Sequence, residues 1–493
     1  MRRIAYLSPL NPAPSGISDY SEELLPYLAQ YAEITLYVED GFKPSNADMV
    51  RHLAVRPISK LERDQRKQPY DAILYHIGNS PVHAAIWTAL QRVPGVVVLH
   101  EFILHHFMLN YAATVRHSIE SYRAEAAQRY GEEGLRVAEL MLRGRFTTAA
   151  FELPFCENVL NAAEGLIAHS RYVIDKANAL RPDLPAAHVP MGVPLPPQID
   201  RAEARARRGL PIDAPILASF GHINPYKRLD AVFRALRVLR ERYPNLRYLL
   251  VGSVSPNYGV RAAIERAGLA DCVTVTGYVD RAAFEDYVAA ADLCINLRHP
   301  TAGETSASLL RLLGAGRATL VTASGSFTEL PSNVAAQVDA DASEGDLIIG
   351  YCRLLLDQPA LAAELGANAR AYVAREHTLE RAAEGYMRFL AARYGWDTPR
   401  KIRKTPLWNL PEYAPPSASA PAPSAPAISR SEMPSEAPAP TLADPALAQL
   451  SGQVAQALAE LGATEHDQAL LKSAARSMAS LIDPSPSTGR LGL

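Results

Sequence analysis

Short runs of apolar residues recur along the chain, each closed by Gly, Pro, Asn or His. In the first half they fall at 4–7, 34–38, 72–75, 96–99 and 165–168; in the second at 216–220, 248–251, 273–275, 293–296, 318–322 and 334–338. Each has the length of a strand and is rich in Val, Ile, Leu or Tyr. They are continuously apolar rather than alternating, as expected of strands covered on both faces of a parallel sheet. Between them the apolar spacing lengthens to a helical period, as at 21–28 and 229–243, where Leu229, Val232, Phe233, Leu236 and Leu239 share one face. Strand–helix alternation through both halves predicts an α/β chain with two doubly wound domains.

The pattern breaks at His188-Val189-Pro190-Met191-Gly192-Val193-Pro194, where two prolines and a glycine cannot continue a helix, and restarts at Ile216. The predicted division is a first domain at 1–190 and a second at 191–398. A linker at 399–440 follows, nearly all Ala, Pro and Ser in its second half, which is predicted disordered because it cannot offset its ordering entropy by burial. The tail, 441–493, repeats Leu447, Leu450, Val454, Leu458 and Leu461 at helical spacing and is predicted to be a small helical hairpin available for self-association. A stretch at 116–145 reads as long helix carrying several arginines. A solvated charged face is the first reading, and an insertion meeting a membrane or an anionic acceptor the second.

Composition narrows the class. The 493 residues exceed what one core sustains, and a formal net charge of −2 gives no reason to expect nucleic acid. Cys156, Cys272, Cys294 and Cys352 are far apart and form no Cys-x-x-Cys pair, so they are expected as buried reduced thiols. The opening MRRIAYLSPL reads as a first strand rather than a signal peptide, and no window has the roughly 18 apolar residues of a membrane span. The expected location is cytoplasmic, with peripheral membrane contact open.

Two loops carry candidate chemistry. The first, from Ser8 to Ser18, follows the first strand and contains Ser15-Gly16; a glycine there lets a phosphate approach the start of the next helix. The second runs from Gly221 and His222 to Lys227 and Arg228, where cations and free amides at a helix start suit a pyrophosphate. An ordinary turn and solvated surface cations are the plain alternatives. His100 ends a strand, where it could equally cap a carbonyl; Asn79 and Ser80 end another, to bind an acceptor or merely to turn. His105 and His106 are adjacent and point apart, so no metal pair is read, and Asp339-Ala340-Asp341 reads as a surface turn rather than a metal motif.

Taken in order, these stretches resemble the retaining glycosyltransferases of GT-B fold, the large family-4 or group 1 class. The matches are Ser15-Gly16, Val98-Leu99-His100-Glu101, Ala168-His169-Ser170, the Gly221 to Lys227 loop, Gly277-Tyr278-Val279, Gly303-Glu304-Thr305-Ser306 running to Gly316, and the later Glu329, covering residues 1 to about 395. The resemblance implies two Rossmann-like domains and transfer of a sugar from a UDP-, GDP- or ADP-sugar to a glycan or lipid-linked acceptor, with retention and without metal or other cofactor. It implies His100, Glu304 and Lys227 as catalytic residues. Gly16, Gly221, His222, Lys227, Tyr278, Val279, Thr305, Ser306 and Arg311 would then hold the donor, with Lys227 on the leaving diphosphate and Tyr278-Val279 near the base.

The chain departs from the family at one point. Relatives carry two glutamates with seven residues between them, the second five before a glycine. Anchored on Gly316, that second position is Arg311 and the first is Gly303, beside Glu304. A guanidinium cannot accept a ribose hydroxyl's hydrogen bond, so Arg311 is expected on the diphosphate or a ribose oxygen, with a pair to Glu304 as the alternative. Two other functions compete: a sugar-nucleotide epimerase, which would need no acceptor, and a non-catalytic nucleotide-sugar-binding scaffold.

Overall fold

The computed structural model describes residues 1–410 apart from 145–147 and 257. The late part of the predicted linker and the whole predicted helical tail lie outside the described residues. Among the described residues the chain divides into two compact units, one of residues 1–104 and 154–410, the other of residues 105–153.

The first unit holds two sheets. β1 (Arg3–Leu7), β2 (Glu33–Val38), β3 (Ala54–Pro57), β4 (Ala72–Ile77), β5 (Gly95–Leu99), β6 (Ala163–Ala168) and β7 (Ala186–His188) form the first. β8 (Ile216–Phe220), β9 (Arg247–Val251), β10 (Val273–Gly277), β11 (Leu293–Asn296), β12 (Ala318–Thr322) and β13 (Ala336–Val338) form the second. Their orders are β3-β2-β1-β4-β5-β6-β7 and β10-β9-β8-β11-β12-β13, with every pair parallel. β4, β5, β8 and β12 are buried along their whole length, which is why they read as unbroken apolar runs. Sequence order reverses between β1 and β4 and again between β8 and β11. The loops that leave those strands border the crevices where doubly wound sheets bind ligands.

The predicted domain bounds need two corrections. The helix Leu379–Tyr394, assigned to the second domain, returns to the first sheet and packs on the helix Gly16–Leu28. Leu379, Tyr386 and Leu390 share one core with Ile4, Leu24 and Val98, and the Tyr386 and Tyr20 hydroxyls meet at 3.2 Å. Residues 402–408, assigned to the linker, also dock on the first domain. The Ile402 amide donates to Gln30 O at 2.6 Å, Leu407 to Pro26 O at 3.1 Å, and Trp408 is buried. An apolar residue every few positions was enough for docking, despite the prolines that follow.

The chain therefore crosses between the sheets twice, and the crossings touch. Val193 donates to His377 O at 2.9 Å, and His377 Nδ1 donates to Met191 O at 2.9 Å. Gly192 permits this approach, since a Cβ there would stand 2.7 Å from Thr378 O.

In the second unit the helices His105–Thr114 and Ile119–Leu142 pack together, the latter broken at Gly131 with φ 63°. Its arginines are paired along the surface: Arg123 with Glu120 and Glu139, Arg129 with Glu125, Arg136 with Glu133. His105 donates from Nδ1 to Ala150 O and meets the Tyr122 hydroxyl through Nε2 at 2.6 Å, so its ring is engaged without a metal. All four cysteines are buried free thiols. Among the described residues no helix is long and apolar enough to cross a membrane.

Candidate active site

β8 ends at Phe220, and Gly221 turns the chain at φ 86°, a conformation that favours glycine. The loop closes through the short helical turn Pro225–Lys227. Lys227 then folds back so that Nζ donates to Phe220 O beneath Gly221. A Cβ on Gly221 would lie 3.6 Å from Nζ and 3.7 Å from Ser308 Oγ, so the amine sits directly beside the glycine. The lysine is 4% exposed, where an open cleft position was expected. Burial first, then the charge of Arg298, pull its pKa down to about 7, with Glu304 opposing. Arg228, the second cation of the loop, points elsewhere: its guanidinium grips buried Glu344 at 2.8 and 2.6 Å. His222 is exposed and meets Ser253 Oγ through Nδ1 at 3.0 Å.

The loop after β11 supplies the opposite charge. Arg298 is anchored by its amide to Thr322 Oγ1 at 2.8 Å, and its guanidinium holds Glu304. Thr301 Oγ1 donates to the other oxygen of Glu304 at 2.9 Å. Burial works against the Glu304 charge, but Arg298 and these bonds outweigh it and keep the carboxyl below its ordinary pKa. Thr305 and Ser306 are engaged within the protein. Thr305 Oγ1 donates to His169 O at 3.2 Å, while Ser306 Oγ caps the helix Ala307–Gly314 by accepting from Leu309 at 3.2 Å.

Arg311, on that helix, pairs with a carboxylate of the first domain rather than with Glu304. Its Nη2 donates to both oxygens of Glu23, at 2.7 and 2.9 Å, and Arg281 reaches the same carboxylate at 3.4 Å. Glu304 is satisfied by Arg298, so a pair with Arg311 does not form. Glu23 lies on the helix Gly16–Leu28, so the substitution away from glutamate is answered from the other domain.

The first domain lines the site with the ends of β1, β4 and β5. Ser15 caps the helix that Gly16 begins, accepting from Ile17 at 3.2 Å, and a Cβ on Gly16 would meet no atom within 4 Å. The amides of Phe102 and Ile103 both donate to Ala302 O, at 2.7 and 3.1 Å, docking the end of β5 on the Glu304 loop. Glu101 accepts from the Asn79 amide at 3.1 Å. Burial, and then the charge of Glu304, push its carboxyl up to about 7, against the pull of Arg298. His100 lies deeper, 5% exposed. Its Nε2 bonds His76 Nδ1 at 2.9 Å, and its ring packs edge-on against Tyr20 and tilted against His169. Burial holds His76 and His100 neutral, well below the usual histidine range, and brings His83 and His169 to about 4.

Glu329 also acts between the domains: its two oxygens accept from the amides of Arg171 and Tyr172, at 3.0 and 2.7 Å, at the start of the helix Arg171–Leu180. Tyr278 is 84% exposed beyond β10, with Val279 packed on the core beneath. Asp341 is exposed and binds its own turn through Ser343, in keeping with a surface turn.

Of the residues expected from sequence, Gly221, Lys227 and Glu304 gather at one sheet edge, and Arg298 and Glu101 complete the group. Arg298 was not anticipated. Its signal was a charge two residues beyond a fully buried strand that borders the reversal of order. A recess of about 610 Å³ lined by Arg234, Arg237 and Arg240 on the outer side of the helix Leu229–Arg242 contains none of these groups.

The glycosyl transferases group 1 pattern matches residues 200–372. The D-inositol 3-phosphate glycosyltransferase of Streptomyces avermitilis is 34% identical over 188 residues, 34% of this chain and 38% of the relative. The chain thus spans about two fifths of the length of the curated relatives it matches. Among solved structures, sucrose-phosphate synthase from Thermosynechococcus elongatus superposes with a TM-score of 0.57 at 19% identity, over 80% of this chain and all of its own. Anabaena HepE, crystallised with UDP and glucose, gives 0.56 at 15% identity, over 80% of this chain and all of its own. Two doubly wound parallel sheets, shared with these structures, give the chain a GT-B fold, and its second domain is similar to the glycosyl transferases group 1 family over the matched residues 200–372.

Proposed function

We propose that the protein transfers a sugar from a nucleoside-diphosphate sugar to a hydroxyl of a glycan or lipid-linked acceptor, with retention and without a metal ion. The observation that carries this reading is Lys227, an amine held beneath Gly221 at the end of β8 with Arg298 beside it. Departure of a nucleoside diphosphate places negative charge on the leaving oxygens, and preorganised cations and amides lower that barrier most where water is excluded. Lys227 and the Gly221 loop supply the charge from the second domain, and the helix begun by Gly16 offers amides from the first. Glu304, kept ionised, suits a role beside the positive charge that grows on the sugar ring. With the diphosphate and acceptor on the same face of the sugar, the acceptor takes the face the diphosphate leaves, so the anomeric configuration is kept. Tyr278 offers an aromatic surface for the base. The soluble inositol phosphate named for the relatives is a first acceptor to try, and a lipid-linked acceptor would bring the protein to a membrane surface.

The test is a thermal-shift panel of UDP-, GDP- and ADP-sugars, followed by transfer assays in excess chelator. One base is expected to raise Tm by mass action, and transfer is expected to continue without divalent ions. No shift with any sugar nucleotide would overturn the reading. Conversion of the donor alone, without acceptor, would replace it by epimerisation.

A further inference from the structure

Two helices begin at the candidate site, one from each domain, and a single carboxylate joins them further along. The helix Gly16–Leu28 starts behind its cap Ser15, and the helix Ala307–Gly314 starts behind Ser306 and the Glu304 loop. Glu23 stands two turns into the first helix, about 10 Å from Gly16. Arg311 stands on the second turn of the other, and its Nη2 donates to both Glu23 oxygens, at 2.7 and 2.9 Å. Arg281 Nη1 donates to one of the same oxygens at 3.4 Å and is itself held through Nε by Glu285 at 3.1 Å. The neighbouring Glu22 serves its own domain: it accepts from the Asn11 amide and from Asn46 Nδ2, both at 2.8 Å, and so ties the loop before Gly16 to the same helix. We propose that Glu23 is a positioning residue, clasping the first domain to the second through Arg311 and Arg281 and so fixing how far the Gly16 end of its helix stands from the second domain. Its bearing on transfer rests on the glycosyl-transfer reading above; the clasp itself concerns the spacing of the domains.

The geometry favours a clasp over a ligand contact for Arg311. Glu23 is only 8% exposed, and salt and water weaken such a pair less than an open surface pair. Moving Arg311 onto a diphosphate would leave a buried carboxylate with Arg281 alone, its two shorter bonds lost, and stranding one partner of a buried pair is costly. The other polar links across the cleft come from different parts of the first domain. The amides of Phe102 and Ile103 reach Ala302 O from the end of β5, and the amides of Arg171 and Tyr172 reach Glu329 from the start of another helix. Among the described residues, Glu23 is the side chain through which the helix carrying Gly16 makes an ion pair with the second domain. A helix is stiff over two turns, so a link at Glu23 limits the movement of the amides at Gly16. Without it, that end follows whatever rotation the two touching crossings, at 191–193 and at His377, allow.

The experiment measures domain spacing in the full chain by pulsed electron spin resonance, with labels on Val50→Cys in the first domain and Leu354→Cys in the second. Both positions are exposed, and the four native thiols are buried. The parent is expected to give one narrow distance without ligand. Glu23→Gln is expected to broaden and lengthen it, and Glu23→Asp to fall between the two. Calorimetry with UDP, GDP and ADP, and release of nucleoside diphosphate from the matching glucose donor with water as acceptor, show the bearing on transfer. The diphosphate that the parent binds is expected to keep a Kd within about threefold in Glu23→Gln, while kcat falls about tenfold or more, because Lys227 holds the ligand and the Gly16 amides are displaced. A distance distribution in Glu23→Gln that matches the parent overturns the clasp. Tighter binding of the diphosphate by Glu23→Gln also overturns it, since Glu23 would then be competing with the ligand for Arg311. A changed spacing with unchanged kcat refutes the positioning role. Parent protein that binds none of the three diphosphates overturns the glycosyl-transfer reading, and the distances still decide the clasp. If Glu23→Gln does not fold, Glu23→Asp decides alone: a longer or broader distance supports the clasp, an unmoved one refutes it.

Discussion

Removing the amine of Lys227 should abolish a pH dependence as well as a rate. The lysine pKa falls from 10.5 to about 7, so charging it at its site costs about 5 kcal/mol relative to water, at ~1.36 kcal/mol per unit. A bound diphosphate offsets this by placing negative charge near Nζ, which draws the pKa back up. Below pH 7 the amine is already charged, and donor affinity should be flat. Above pH 7 the neutral amine must take up a proton on binding, and Kd should weaken toward a limit of about tenfold per pH unit, or roughly sixteenfold between pH 7 and 8.5. Calorimetry of the stabilising sugar nucleotide at pH 8, in two buffers of different ionisation enthalpy, should show uptake of about 0.9 proton. Lys227→Ala should bind weakly with no slope and no proton uptake, and turn over about a hundredfold more slowly or worse. Its unliganded Tm should be unchanged or raised, because a costly buried amine is gone. A Kd independent of pH from 7 to 8.5 in wild type, or a slope that survives in Lys227→Ala, would refute the placement of this amine under the diphosphate.

Glu304→Gln should lower turnover more than donor affinity, and Glu304→Ala should also cost about 3–5 kcal/mol in denaturant unfolding, since Arg298 would be left buried and unpaired. A double-mutant cycle on Glu23 and Arg311 should give a coupling of about 1–3 kcal/mol, with Arg311→Glu harmful alone and partly rescued by Glu23→Arg; additive effects would mean the pair is incidental. Acid should destabilise the histidine cluster. His83 and His169, near 4 folded and 6.5 unfolded, bind more protons when unfolded, so stability is full above pH 6.5 and is lost as pH falls toward 4. Urea titrations at pH 7 and 5 should differ by about 2 kcal/mol per histidine, and His169→Phe should flatten that slope. Ending the chain after residue 410 should leave Tm and donor binding intact, whereas ending it at 400 uncovers the Trp408 site and should lower stability by about 2 kcal/mol.

The strands were legible wherever both faces are buried. β8 and β12 read from sequence at the bounds they have, because every side chain in them is apolar or small. β3 and β7 were missed for the opposite reason. Ala54–Pro57 alternates exposed and half-buried residues and ends in proline, and Ala186–His188 is three residues of low strand preference. The site was legible where local chemistry is needed, as at Gly221 and Lys227. It was not legible where the partner comes from far along the chain. Arg311 reads alone as a cation seeking phosphate; only the fold brings Glu23 to it from 288 residues away. His100 reads as a cleft residue, and the burial of its ring among His76, His169 and Tyr20 follows from packing between strand ends and the last helix, which no spacing in the sequence announces.

The return of the helix Leu379–Tyr394 to the first sheet makes the second domain an insertion within the first. During synthesis the two halves therefore do not mature in the order in which they are made. The second sheet has all of its strands once Val338 has emerged, while the core around Ile4 and Leu24 waits for Tyr386, Leu390 and Trp408, which emerge after every one of those strands. The amino-terminal half spends most of translation with an uncovered apolar groove, and is the half that a stalled or truncated chain would present to chaperones and proteases.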